Sequence, residues 1–424
     1  MLTETVSLWQ GTVNRNNRRP SLLGQIETDV VIVGAGFTGI SSAYFLSKKG
    51  ISAVVLEQET VGWGATGRNG GMMNTGYKPS AEGMIARWGL EDARKLDQIA
   101  IDSIHLVDEL VKEHTIDCSI RHCGHIVLTK NPKSMNRLRN EVGAMQKYFG
   151  REVRIVEGNE LQNEIGSNYY KLGMVDSQSY GFHPLNYALG LADAAESLGA
   201  KFYEKSKVTS IKRTGETVTV LTDKGVVKAK EVIVATDGYS SRISKELDQG
   251  VIPVASYVIA TEPLDEDLIK RLIPNNRMLF DTTKMTNYFR ITPDSRMLYG
   301  GSGVRHDRGH KYFPELHQKM LMVFPQLAPY KIDYRWSGLI GVTKDFFPVI
   351  GKMEDGSYFA TGYCGHGGSQ STLLGKILAD CIAKEQDRIE YFEKNALKPF
   401  PFSSQKGMLI NLANIYYRWL DRNG

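Results

Sequence analysis

Three glycine-rich turns and one carboxylate are the residues of this chain whose types and spacing suit chemistry. Gly34-Ala35-Gly36-Phe37-Thr38-Gly39 has GxGxxG spacing, and its glycines have separate duties. Gly34 permits a tight turn, Gly36 lets backbone amides approach a pyrophosphate, and Gly39 lets a helix pack closely on a strand. Glu57 follows the last glycine by 18 residues. A carboxylate there can accept hydrogen bonds from both hydroxyls of a ribose. The glycines alone would also suit an ordinary α/β turn; combined with the acid and the flanking elements described below, they point to a dinucleotide.

The fingerprint does not separate FAD from NAD, since both share an adenosine diphosphate half. The run Gly62-Trp63-Gly64-Ala65-Thr66-Gly67-Arg68-Asn69-Gly70-Gly71 does, with five glycines in ten residues. Such a backbone can wrap a flat ligand closely and present amides to its heteroatoms. A mobile loop is the alternative, but Trp63, Arg68 and Asn69 are out of place in one. The third turn, Gly362-Tyr363-Cys364-Gly365-His366-Gly367-Gly368, lies between an expected strand and helix. Free amides at that helix start would stabilise negative charge developing near N1 and the C2 carbonyl of a reduced flavin. No apolar strand follows its helix, so it is not a second dinucleotide unit. Electrons are therefore expected from a bound substrate, leaving to oxygen or a carrier.

These turns need elements to hold them. Asp29-Val30-Val31-Ile32-Val33 reads as a strand buried on both faces, Ile40 to Leu46 as a helix stopped at Gly50, and Ala53 to Leu56 as a second buried strand. The spacing predicts a long amphipathic helix over 90–113, a strand at 126–128 and a helix around Leu138, Val142 and Met145. A helix from Tyr187 to Leu198 and strands at 208–211, 217–220 and 232–235 form a second α/β stretch. Residues 251–304 are strand-rich, and a strand at 358–361 precedes a helix over 371–383. The fold class expected is α/β: a Rossmann-like FAD/NAD(P)-binding domain, discontinuous in sequence, with an inserted α+β substrate domain on an antiparallel sheet. Nucleotide-domain segments are expected at 1–80, 155–245 and 335–390, substrate-domain segments at 81–154 and 246–334, and a helical tail at 391–424.

Bulk properties exclude several classes. A net charge of +5 over 424 residues is too dilute for nucleic-acid binding. The densest basic run, Arg15-Asn16-Asn17-Arg18-Arg19, reads as a solvated arm. No stretch of 18 apolar residues occurs, the start lacks signal-peptide character, and four cysteines are too sparse for a disulfide scaffold. The reading is a cytoplasmic, reduced protein without membrane association.

The combination resembles the D-amino-acid oxidase/glycine oxidase/sarcosine oxidase superfamily of FAD enzymes, and within it the gamma-glutamylputrescine oxidase-like amine oxidoreductases. The resemblance runs almost end to end, through Gly64 to Gly71, His183-Pro184-Leu185-Asn186, Ile259 to Leu264, Phe324 to Leu327, Trp336-Ser337-Gly338 and Gly365-His366-Gly367. It implies oxidation of an amine or amino acid, with hydride passing to flavin N5, the imine hydrolysing, and oxygen reduced to hydrogen peroxide. Cofactor contacts are expected to extend to Gln58, Met72, Val208, Ala235, Thr236, Gly338 and Gly368. Some sarcosine oxidases tether flavin through a cysteine just before the segment matching Thr343-Lys344-Asp345. Trp336 to Val342 contains none, so FAD is expected to be non-covalent.

Substrate contacts are sought on the alternating face of Tyr288, Arg290 and Thr292. Arg290 can hold a carboxylate, with Arg305 as substitute, against the reading of a solvated strand face; Tyr288 can roof the flavin or pack in the core. Trp336 packs near the ring system or is simply buried. His366 can supply positive charge for oxygen activation or merely hold its turn. Cys118, His122, Cys123 and His125, near His114, do not have a common zinc spacing, so no metal is expected. The tail's Leu409, Leu412, Ile415, Tyr416 and Trp419 can dock on the protein or, with Arg418 and Arg422, on a membrane surface. The alternatives to an oxidase are an amino-acid dehydrogenase feeding a membrane quinone and a flavin-binding protein without turnover. Oligomeric state is not legible.

Overall fold

The computed structural model describes residues 4–15, 17–240, 243–304, 309–385, 396–401 and 405–423. Val30 to Val33 are all buried because both faces of their strand are covered, Val30 and Ile32 on one side and Val31 and Val33 on the other. Gly24–Val33 pairs in parallel with Gly225–Val234 on one edge and with Ala53–Leu56 on the other. Lys201–Tyr203 extends this sheet beyond Ala53–Leu56, and Tyr358–Thr361 and then Val349–Lys352 extend it beyond Gly225–Val234. The hairpin Val208–Thr214 and Thr217–Thr222 completes eight strands. One face packs against the helices Phe37–Lys48, Pro184–Ser197 and Gly367–Ile382 in a core with Ile32, Val55, Ile40, Leu191 and Leu378. The other face buries Val31, Val33, Val54 and Leu56 against the hairpin's Val218 and Val220.

The second eight-stranded sheet runs in the order Ile332–Val342, Ile252–Thr261, Met297–Val304, Asn287–Ile291, Met278–Asp281, His125–Thr129, Leu172–Asp176, Val153–Glu157. It is antiparallel, as expected of the substrate domain, except where Met278–Asp281 lies parallel to His125–Thr129. The strands at 153–176 and 332–342 also join this sheet rather than the first, across the expected boundaries at 155 and 335. An apolar alternation records which face a strand buries, not which neighbour it pairs with. The helix Leu90–Glu113 packs its Leu96, Ala100, Ile104 and Val107 into the core of the first sheet.

Two peripheral expectations change. Arg19 is buried and pairs with Asp193 and Glu196, each at 2.8 Å, and Arg15 pairs with Asp193 at 2.7 Å, so these two arginines are tied to the helix Pro184–Ser197, while Asn17 and Arg18 are exposed as expected of a solvated arm. In the C-terminal helix Lys406–Asn423, Tyr417 packs against the second sheet's core while Met408, Leu412, Tyr416 and Trp419 are exposed. The side chains of Leu409, Ile415, Arg418 and Arg422, and all of Arg305, lie outside the described residues. Among the described residues no helix is long and apolar enough to cross a membrane.

Candidate active site

The GxGxxG turn closes the end of the first strand. Gly34 has φ +102°, a left-handed conformation, and a Cβ there would sit 2.7 Å from the Ala235 carbonyl oxygen. A Cβ on Gly39 would meet the Gly34 carbonyl oxygen at 1.9 Å, so helix and strand touch backbone to backbone. Gly36 caps the helix that starts at Phe37. The Phe37 amide donates to Thr66 Oγ1 at 3.1 Å, which seats the second glycine run on the helix start. The half-buried Glu57 carboxylate accepts from the Ala35 amide at 2.9 Å and the Glu59 amide at 2.8 Å, and the desolvation around it raises its pKa. Gln58, Val208, Ala235 and Thr236 line the same end of one cavity.

The second run folds by satisfying itself. Asn69 donates to the carbonyls of Ala65 and Thr66 and accepts from the Gly71 amide at 2.7 Å. Arg68 donates to the carbonyls of Trp63 and Ser337, and its guanidinium lies 4.3 Å over the Trp63 ring. Two indoles clamp the loop from behind: Trp336 donates to the Arg68 carbonyl at 2.9 Å and Trp9 to that of Asn69 at 2.7 Å. Trp336 is thus a buried support for the loop. Thr66, Arg68, Asn69, Gly70, Met72 and Gly338 line the cavity; Gly67 and Gly71 stand behind that wall.

The third turn enters its helix earlier than expected, at Gly367 instead of Ser371. The amides of Gly367 and Gly368 therefore belong to the first helical turn, where they lack intrahelical acceptors. Asp237 fixes the approach, accepting from the Gly362 amide at 2.9 Å, the Thr361 hydroxyl at 3.0 Å and the Gly341 amide at 2.9 Å. Gly365, His366, Gly367 and Gly368 line the cavity. Burial holds the His366 ring down at about 4, so in the protein by itself it is neutral near pH 7. The Cys364 thiol is pushed up to about 11 by burial.

Tyr288 lines the cavity with its ring across Gly300 and beside Gly70, and its hydroxyl meets Ser256 Oγ at 2.8 Å. Burial pushes that phenol up to about 12. Arg290 shares the strand face but lies one layer behind. It is 3% exposed and does not line the cavity. Its guanidinium donates to the carbonyls of Gly71, Phe182 and Ile291. The carboxylate-anchor expectation is therefore corrected: the fork pins the second glycine run to the sheet, and Gly71 stands where a carboxylate would have to approach.

The Cys/His group does not assemble. His122 stacks on Tyr180 at 3.9 Å, His125 meets Ser179 Oγ at 2.7 Å, His114 meets the Tyr44 hydroxyl at 2.8 Å, and Cys118 is buried in the first core.

All three turns open on one cavity of about 1130 Å³, at the upper end for small-molecule sites and roomy enough for a dinucleotide beside a substrate. On the Tyr288 side the lining takes in a further set of residues, called the chamber below, that sequence spacing does not reveal. There Arg151 bridges Asp97 at 3.0 Å and Asp176 at 2.5 Å, with Thr75 donating to Asp176 at 2.7 Å. Lys78, Ser256, Asp281 and Lys284 also face this chamber. The cavity walls fit a flavin dinucleotide on two counts. The glycine cradle leaves no room for side chains at Gly34 and Gly39. Three buried atoms in the lining, Asn74 Oδ1, the Tyr77 hydroxyl and His366 Nδ1, have no hydrogen-bond partner among the described residues. Buried polar atoms left open cost about 1–3 kcal/mol each, so a wall holding several is built for a ligand.

Comparison with known proteins agrees. The chain is 34% identical to gamma-glutamylputrescine oxidoreductase of Escherichia coli over 427 residues, covering all of both chains. It is 24% identical to glycine oxidase of Bacillus licheniformis, over 86% of this chain and 95% of that one. The crystal structure of glycine oxidase from Geobacillus kaustophilus superposes with a TM-score of 0.73 at 21% identity, covering 88% of this chain and 98% of that one. Residues 29–381 match the model of the FAD-dependent oxidoreductase family. With the cradle, the cavity and these likenesses together, the chain belongs to that family, as an FAD-dependent oxidoreductase acting on amines or amino acids.

Proposed function

We propose that the protein oxidises the C–N bond of an amine joined to an amino-acid group, of the gamma-glutamylputrescine kind, and passes the electrons to oxygen. The observation that carries this reading is the single cavity that runs from the Glu57 end past the 362–368 turn into the Tyr288 chamber, in a chain 34% identical along its whole length to an oxidoreductase of that name. Bound FAD would supply the hydride acceptor for the carbon beside nitrogen, the imine then hydrolysing and oxygen leaving as hydrogen peroxide.

The chain's own residues do the rest. The Gly34–Gly39 turn takes the pyrophosphate and Glu57 the ribose. The amides of Gly367 and Gly368 face the pole where negative charge develops. Tyr288, protonated because its phenol sits at about 12, keeps its hydroxyl on Ser256 and excludes water from one side of the chamber. An uncharged amine is the reacting form, and the chamber's dense walls favour it over the ammonium.

The test is anaerobic mixing of the holoenzyme with gamma-glutamylputrescine, putrescine, glycine and D-amino acids while following flavin absorbance near ~450 nm. Rapid bleaching by the gamma-glutamyl amine is expected. Full FAD occupancy without bleaching by any of them would make the protein a flavin binder without turnover. One observation favours a second acceptor: Met408, Leu412, Tyr416 and Trp419 are exposed on the C-terminal helix, as a protein delivering electrons to a membrane quinone would need. Slow reoxidation in air, accelerated by a quinone in lipid vesicles, would select that reading over oxygen.

A further inference from the structure

The charged residues that line the cavity are almost all spoken for within the protein. Arg68 holds the glycine loop, Asp97 and Asp176 share Arg151, Asp237 holds the third turn, and Asp281 accepts from Thr283 and Asn287. Lys78 and Lys207 are different: both line the cavity, and neither ammonium makes a hydrogen bond or ion pair with a described residue. Lys207 follows Ser206, whose amide donates to the Glu57 carbonyl, so it stands at the ribose end and Lys78 is left for the chamber. The loop that carries it is rigid. Thr75 is tied to Asp176 and Ser179, the Gly76 carbonyl accepts from Gln370 at 2.9 Å, and the Tyr77 ring stacks on Phe347 at 4.5 Å. Ser80 then caps the next helix, Ala81–Trp88. The aim of Lys78 into the chamber is therefore built in, since its neighbours on both sides are fixed.

Lys78 is exposed and lines the cavity, and the protein around it is dense enough that burial lowers its pKa. Its charge bears on His366 and Cys364 of the third turn, and on Lys78 itself Cys364 and Asp281 act to hold the proton while Lys284 acts against it. A cation on a cavity wall with no partner in the protein is free to make a charge-assisted hydrogen bond to an anionic ligand. His366 is neutral there, and its orphaned Nδ1 opens on the same cavity.

We infer that Lys78 is the carboxylate-binding residue of the chamber, the specificity element first sought at Arg290. This rests on the reading that the chamber receives an amine bearing an amino-acid group. It assigns the carboxylate to a point charge on a fixed loop, which accepts an anion from several directions, in place of a planar fork that would demand one.

The experiment separates binding from turnover. Acetate and butanoate, with acetamide and butanamide as uncharged counterparts, are titrated into the FAD-loaded enzyme, and flavin absorbance reports the dissociation constants. In wild type the acids are expected to bind more tightly than the amides. Lys78→Met and Lys78→Gln should each weaken the acids by about 10- to 100-fold, the range for a lost bond to a charged group. Lys78→Arg should restore part of that loss, and the amides should be indifferent. Stoichiometric FAD in each variant shows that it folds. Equal constants for wild type and Lys78→Met, or no preference for acids in wild type, would overturn the assignment. So would a variant that binds acids normally but reoxidises slowly, since that places the charge on the flavin's behalf. Flavin reduction by amines without a carboxylate is measured separately. Its absence alongside intact acid binding would remove the amine reading and leave Lys78 standing.

Discussion

Acidification should loosen the fold through His183, and the size of the effect follows from its surroundings. The ring is 4% exposed, edge-on to Trp9 at 4.9 Å, and caps the helix Pro184–Ser197. Its Nδ1 accepts from the Asn186 amide at 3.1 Å, and Nε2 lies 3.1 Å from Thr12 Oγ1, whose own proton goes to the Leu8 carbonyl. The neutral tautomer with hydrogen on Nε2 satisfies all of this. A proton on Nδ1 would point one N–H at another and set a cation on the positive end of a helix. Burial accordingly holds the ring at about 4 against an ordinary 6.5. Below pH 6.5 the unfolded chain takes up a proton that the folded chain refuses until about pH 4. Stability is thus intact above 6.5 and falls by about 1.4 kcal/mol per pH unit across that window, reaching about 3 kcal/mol at its lower end. His183→Asn can still cap the helix but cannot titrate; at neutral pH it loses the Thr12 bond, about 1 kcal/mol. Urea midpoints of holoenzyme and variant, followed from neutral pH to about 4, should converge and then cross. His366 and His125 are depressed in both proteins, so they cancel in the comparison. Parallel profiles for the two proteins would refute the reasoning.

Three further outcomes are expected. Glu57→Ala should orphan the amides of Ala35 and Glu59 as well as the ribose. Urea denaturation should then show a loss of about 2–4 kcal/mol, and fluorescence titration an FAD affinity about 10- to 100-fold weaker; Glu57→Gln should lose less of both. Arg290→Met strips donors from three backbone carbonyls and should cost about 2–4 kcal/mol by the same measurement. Flavin reduction should then suffer alike for amines with and without a carboxylate; selective loss of the former would restore Arg290 as an anchor. Acid precipitation should release flavin into the supernatant, because Trp336 to Val342 has no cysteine and the Cys364 thiol, up at about 11, is a poor nucleophile near pH 7.

Local backbone demands are what the sequence records well. Gly34 and Gly39 are dictated by contacts within one strand-turn-helix, and Val30 to Val33 by burial on both faces, so the dinucleotide unit is legible without coordinates. Side-chain direction along a strand is equally local: Tyr288 and Arg290 do share a face. What that face meets is decided elsewhere. Gly71 and Phe182 come from segments more than 100 residues away and absorb the guanidinium before it reaches the chamber. Lys78 escaped notice for the converse reason, because nothing in Tyr77-Lys78-Pro79-Ser80 distinguishes a lysine facing an inner chamber from one facing water. The strands at 153–157, 172–176 and 332–342 are not legible as strands in the sequence, and their partners are set by pairings at long sequence separation.

The pairing of Gly24–Val33 with Gly225–Val234 has a consequence for the making of the protein. During translation the first strand leaves the ribosome about 10–40 s before its partner, at about 5–20 residues per second. Ala53–Leu56 is available within seconds as its other neighbour, yet a two-stranded parallel pair lacks the area to persist alone. For that interval four consecutive β-branched residues, Val30 to Val33, have an unpaired edge and an uncovered face, the combination that recruits strands from other chains. Translation rate and chaperone supply, which set how long that edge stays uncovered and how far apart nascent chains are kept, are therefore expected to affect the yield of folded protein.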